Sequence, residues 1–160
     1  MKKSLIQRSL VAGMVIASLA PAVQAETASS SFQVGVDVRA TCSISAADMT
    51  FNGITTGTTS RNDAETNLSV NCSSGAPYEV TLSNGDNFSG GRRLGSNGSF
   101  INYSLFKDNS RSAEWSIASP VLGTGNGASQ IIPVFGRIPA GQSVPNMGSY
   151  ADTIVATVSY

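Results

Sequence analysis

Apolar and polar residues alternate singly along almost the whole chain that follows the N-terminal segment. Successive side chains of a β-strand point to opposite faces, so a period of two describes half-buried strands, whereas a helix repeats every three to four residues. Leu68, Val70 and Cys72 alternate with Asn67, Ser69 and Asn71. Tyr78, Val80 and Leu82 alternate with Glu79, Thr81 and Ser83, and Ile101, Tyr103 and Leu105 repeat the pattern. Gln130 to Ile138 reads as a further strand, with Pro133 placing it at an edge or a bulge. A short piece around Trp115 and Ile117 reads as an edge strand. The last run sets Ile154, Ala156, Val158 and Tyr160 on one face, and Val155, Thr157 and Ser159 on the other. Turn chemistry separates the runs at Ser73–Pro77, Ser89–Gly91, Gly123–Gly127 and Pro139–Gly141. No stretch after the leader has a convincing helical period. Short strands at this spacing imply an all-β fold: a single β-sandwich of immunoglobulin-like type.

The N-terminus indicates export. Lys2, Lys3 and Arg8 precede a short apolar stretch, Leu10 to Leu19, which Pro21 ends. That stretch is too short to span a bilayer, and Val23 and Ala25 are small where a signal peptidase needs them small. Residues 1–25 are therefore expected to be a signal peptide, leaving a soluble chain with no membrane insertion. Losing three cations from a neutral precursor with ten of each sign leaves seven against ten, about −3. Charges are sparse and scattered, so no nucleic-acid partner is indicated. In an exported chain the two cysteines, Cys42 and Cys72, read by default as one disulfide. Closing a loop of that size contributes roughly 3–4 kcal/mol in the chain-entropy model.

Catalytic and ligand-binding constellations are not found. The chain has no histidine, which removes Ser-His-Asp catalysis and the commonest metal ligand. No metal, cofactor or catalytic residue is expected, and the chain is not read as an enzyme. Asp86, Asp108, Glu114 and Asp152 fall on loops or strand ends and read as solvated turn residues. Lys107 has nothing around it in sequence that suggests activation beside a serine. The Asn-X-Ser triplets at Asn67, Asn71, Asn87, Asn97 and Asn102 read as sheet-surface composition. Trp115 with Tyr103 is able to stack a sugar ring, but packing in the core or at an edge is the favoured reading.

One run is anomalous. The alternation from Phe32 through Val34, Val36, Val38, Ala40 and Cys42 to Ile44 is more than twice the usual strand of about 5–6 residues. Either it is one long bent edge strand, or only its end near Cys42 belongs to the domain. In the second case Phe32, Val34, Val36 and Val38 form an apolar strand with no home, which another chain would have to accept. Periodicity alone leaves both readings open.

The ending PVFGRIPAGQSVPNMGSYADTIVATVSY resembles the end of the spore coat protein U domain family, which includes subunits of archaic chaperone–usher pili. NYSLFKDNSRSAEW, the ATCSIS around Cys42 and the SVNCSSG around Cys72 also look like that family. The resemblance implies an incomplete sandwich that lacks its last strand and is completed by a donor strand. Residues 26–39 would be the donor extension, with Phe32, Val34, Val36 and Val38 filling pockets. Residues 40–160 would be the pilin domain, with Ile154, Ala156, Val158 and Tyr160 bordering the acceptor groove. The implied partners are identical or related pilin subunits, a periplasmic chaperone and an outer-membrane usher. The implied product is a cell-surface fibre for attachment and biofilm formation. The alternative is a monomeric secreted module that binds carbohydrate or another surface.

Overall fold

A computed structural model describes residues 24–58, 60–144 and 146–160. The expected signal peptide, apart from its last two residues, lies outside the described residues. The chain divides into two units, the first ending at Val36 and the second running Asp37–Tyr160. In the first unit residues 24–36 enter no strand, and Phe32, Val34 and Val36 are 86%, 87% and 86% exposed.

The second unit is an all-β sandwich; no helix occurs among the described residues. Its strands are β1 (Cys42–Ala46), β2 (Gly57–Thr58), β3 (Asn62–Cys72), β4 (Pro77–Leu82), β5 (Arg92–Ser96), β6 (Ser99–Phe106), β7 (Val121–Thr124), β8 (Ser129–Ile138), β9 (Ser143–Val144) and β10 (Ala156–Ser159). One sheet has the order β1-β3-β8-β6-β5, the other β10-β4-β7, and β2 pairs with β9. All pairings are antiparallel. The core lies between the sheets, and it takes the inward parity that the alternation implied. Leu68, Val70 and Cys72 from β3, Tyr78, Val80 and Leu82 from β4, and Ile101, Tyr103 and Leu105 from β6 are all buried.

Several elements depart from the sequence reading. The long N-terminal run is not one strand: pairing begins where Ser73 N–H donates to the Thr41 carbonyl, and Val38 is 90% exposed. Residues 37–41 lie outside any strand, because β3 ends at Cys72 and offers them no further ladder. Gly123, read as turn, lies in β7 opposite Tyr78. The Tyr78 ring covers it so closely that a Cβ there would come within 2.4 Å of the ring. Trp115 is not on an edge; it is 0% exposed, and its indole N–H donates to the Val80 carbonyl at 3.0 Å. Stacking of a sugar on Trp115 is therefore ruled out. Ile117, its expected strand companion, is exposed. Pro133 sits in β8 between two strands, but β6 pairs only with residues 135–137. The proline thus occupies a stretch of β8 with a free side, where its missing N–H breaks no ladder bond.

Three side-chain arrangements complete the frame. Cys42 and Cys72 form the expected disulfide across the facing ends of β1 and β3, with Cα atoms 4.1 Å apart. Asp63 and Arg137 face each other on β3 and β8 and make two bonds at 2.7 and 2.9 Å. The Arg137 bond holds the Asp63 carboxyl below its usual range. Arg92 is the buried cation of the core, only 4% exposed. Its guanidinium donates to the carbonyls of Trp115 (2.8 Å), Ser83 (2.7 and 3.0 Å) and Leu82 (3.3 Å). The Leu82 and Ser83 carbonyls lie beyond the last pairing of β4 with β7, so the arginine supplies donors that a neighbouring strand would.

Replacing Arg92 by leucine leaves those carbonyls without donors in an apolar setting. We expect Arg92→Leu to lower stability by about 3 kcal/mol. The exposed Arg39→Leu should stay within about 0.5 kcal/mol. Urea unfolding midpoints at unchanged slope are the measurement.

Candidate strand-acceptor cleft

The sandwich is open along one side. β1 ends one sheet and β10 ends the other, and the two lie near each other. Beside them a cleft of about 930 Å³ reaches into the core, touching β1 at Ala46 and β10 at Ala156. Its floor is Leu68, Leu82, Leu105, Val134 and Ile138, core residues that each keep only 2–4% exposure. One wall is the irregular segment 46–56 and the other is the segment 146–156 that leads into β10.

The wall formed by β10 has an unpaired edge whose chemistry can be read atom by atom. Ser83 N–H donates to the Val155 carbonyl at 2.9 Å, and the register sets Thr157 opposite Thr81 and Ser159 opposite Glu79. In an antiparallel ladder the residues that exchange hydrogen bonds with one neighbour alternate with those that face away. Thr157 and Ser159 therefore turn their amides toward β4. Ala156 and Val158 turn theirs toward the open side, where no strand pairs with them among the described residues. The same two residues point their side chains inward. A strand laid along this edge would meet both free backbone groups and apolar side chains.

The residues expected to border the groove divide in two. Ile154 and Ala156 line the cleft. Val158 packs against the core but is not part of the cleft lining, and Tyr160 lies beyond β10 and is 62% exposed.

Sequence reasoning missed one residue here. Asp152, taken for a solvated turn residue, lines the cleft and is half-buried. Its carboxylate accepts from the Tyr103 hydroxyl at 2.7 Å and from the Asn87 N–H at 3.0 Å. Its place inside the Gly148–Thr153 stretch, one of the segments that carry the family likeness, was the available signal. Burial, then the bond to Asp152, pushes the Tyr103 phenol up, so it stays protonated and is no nucleophile. Asp108, by contrast, closes a surface turn: Ser112 and Ala113 N–H groups donate to it. Lys107 Nζ donates to Ser119 Oγ at 2.7 Å and to the Pro120 carbonyl at 3.1 Å, which ties down a loop.

An empty cleft has a mechanical signature. Ala156→Leu should project into free space and change stability by less than about 1 kcal/mol. The buried Ala76→Leu meets packed neighbours and should cost about 1–3 kcal/mol. Thermal unfolding of both variants measures the difference. Equal costs would mean that the space beside Ala156 is already filled.

The model of the Spore Coat Protein U domain matches residues 28–157. Comparison with curated protein sequences gave no match. Among solved structures, the chain is similar to one described as the CsuC-CsuE chaperone-tip adhesion subunit pre-assembly complex from archaic chaperone-usher Csu pili of Acinetobacter baumannii. The TM-score is 0.59 at 24% identity, over 77% of this chain and 40% of that one. This chain thus spans less than half the length of its structural neighbour, and the likeness is one of fold.

Proposed function

The chain belongs to the Spore Coat Protein U domain family, and on that premise we propose that it is a subunit of a cell-surface pilus built by the chaperone–usher route. Its neighbours in the fibre are identical or related pilin subunits. A periplasmic chaperone holds the subunit before assembly, and an outer-membrane usher directs the exchange. The fibre serves attachment to surfaces and biofilm formation. The chain has no part in catalysis.

One observation carries this reading: the same chain holds an apolar cleft beside an unpaired strand edge, and a segment of alternating exposed apolar residues that enters no strand. The edge is that of Ala156 and Val158. The segment is residues 26–39, whose Phe32, Val34, Val36 and Val38 are exposed. An extended segment added to a sheet edge gains main-chain hydrogen bonds, and its alternate side chains enter pockets. Supplied by one subunit to the next, it turns a hazard of aggregation into an ordered polymer. The unpaired edge of β10 beside an apolar cleft also gives a reason for a chaperone before assembly, since a free strand edge invites wrong pairing.

Each donor side chain transferred from water into the cleft contributes roughly 1.5–3 kcal/mol. An unpaired carboxylate in its place costs several kcal/mol. Val34→Asp with Val36→Asp should therefore abolish fibres on cells, while the subunit remains bound to its chaperone. Gln33→Ser with Asp37→Ser changes the other face of the strand and should leave assembly intact. Normal fibres from the aspartate variant, read by electron microscopy and by ladders in unboiled gels, would refute the donor role of this segment.

A further inference from the structure

The wall of the cleft is held by a built anchor, and the anchor has its largest effect while the cleft is empty. The wall begins in one sheet and ends in the other. Ala151 exchanges two backbone bonds with Gly95 of β5, at 2.8 and 3.1 Å. Four residues later Val155 is fixed to the end of β4: its carbonyl accepts from Ser83 N–H, and its N–H donates to Ser83 Oγ, both at 2.9 Å. Between these points the chain crosses the open end of the sandwich, and Ile154 faces the cleft.

Asp152 sits in that crossing and turns its carboxylate back into the domain. One oxygen accepts from the Tyr103 hydroxyl of β6, and the other from both the backbone and the side-chain N–H of Asn87. The Asn87 amide also donates to the Ala151 carbonyl at 3.0 Å. Two glycines clear the space for this arrangement. A Cβ at Gly85, where φ is +88, would lie 2.1 Å from the Asp152 carboxylate. A Cβ at Gly95 would lie 2.8 Å from the Asn87 side-chain oxygen. Local geometry and side-chain chemistry therefore converge on fixing the crossing chain, whose Ile154 lines the cleft and packs against the core.

We infer that Asp152 is a positioning residue for strand acceptance: it keeps the acceptor edge in register and the cleft open before a donor arrives. The inference rests on the strand-accepting reading above. Without the anchor, the crossing segment, whose Ile154 already packs against the core, is free to shift further over the cleft, driven by the same burial that favours a donor. A donor must then displace it, so uptake slows. Once the cleft is filled, the donor's own ladder holds the edge and the anchor matters less.

The test uses the full chain and a fluorescent peptide of its own residues 28–40, with uptake followed by anisotropy. Asp152→Ala should slow uptake about tenfold. Asp152→Asn can still accept from Asn87 and pair with the tyrosine hydroxyl, and should restore uptake to within about threefold. Asp108→Ala removes a comparable set of bonds from a turn that does not line the cleft, and should leave uptake unchanged. Unfolding of the peptide-filled forms should differ little between wild type and Asp152→Ala. If Asp152→Ala does not fold, Tyr103→Phe deletes only the hydroxyl and should slow uptake in the same direction. Wild-type rates in the alanine variant, or equal slowing by Asp152→Ala and Asp108→Ala, would overturn the inference. Failure of the wild-type chain to take up the peptide would instead reject strand acceptance itself, and this inference with it.

Discussion

A backbone amide or carbonyl beside an apolar core must find a hydrogen-bond partner, and a sheet edge next to an uncovered core has none. Along β10 the domain has an unpaired edge beside an apolar cleft. Ala156 and Val158 face their amides outward and their side chains inward, so one added strand would satisfy both polar and apolar demands. Neither demand alone would select a strand. Water could solvate a free edge on a polar sheet, and a small apolar ligand could fill a cleft. Only an extended segment with alternating apolar side chains meets both at once.

The rest of the domain must stay folded while that position is empty. The Cys42–Cys72 disulfide joins the edge strand β1 to β3 at the end of their ladder away from Ala46, the residue of β1 that lines the cleft. Arg92 supplies donors to the Leu82 and Ser83 carbonyls beyond the last pairing of β4 with β7, and the indole of Trp115 donates to Val80 at that last pairing. The Asp152 anchor holds the opposite wall. These are covalent and polar devices that hold the frame.

Much of the sandwich was legible because period-two alternation reports which face is buried. The parity of Leu68–Cys72, Tyr78–Leu82 and Ile101–Leu105 came out as read. The disulfide followed from export and two cysteines. β5 was not seen, although Asn97-Gly98, with φ of 46° and 80°, is a two-residue hairpin signal that points to a strand on each side. β7 was hidden because Gly123 looks like turn until Tyr78 is placed over it. Trp115 looked like an edge because its short segment carries no period, and its burial depends on a loop that folds inward. Asp152 was misjudged because a carboxylate at a strand end is usually solvated; its partners lie far away in sequence, at Asn87 and Tyr103. The open cleft was legible only through family resemblance, since alternation marks strands that exist and cannot mark one that is missing.

The central claim is that the edge formed by Ala156 and Val158 is an unfilled strand position. Hydrogen exchange at these two amides, compared between unassembled subunit and fibre, tests it directly. Thr157 and Ser159 are bonded to β4 and should be protected in both forms. Ala156 and Val158 should exchange fast in the subunit freed of its chaperone and slowly in the fibre. Equal protection of all four amides in both forms would mean that the edge is already paired, and would contradict the account.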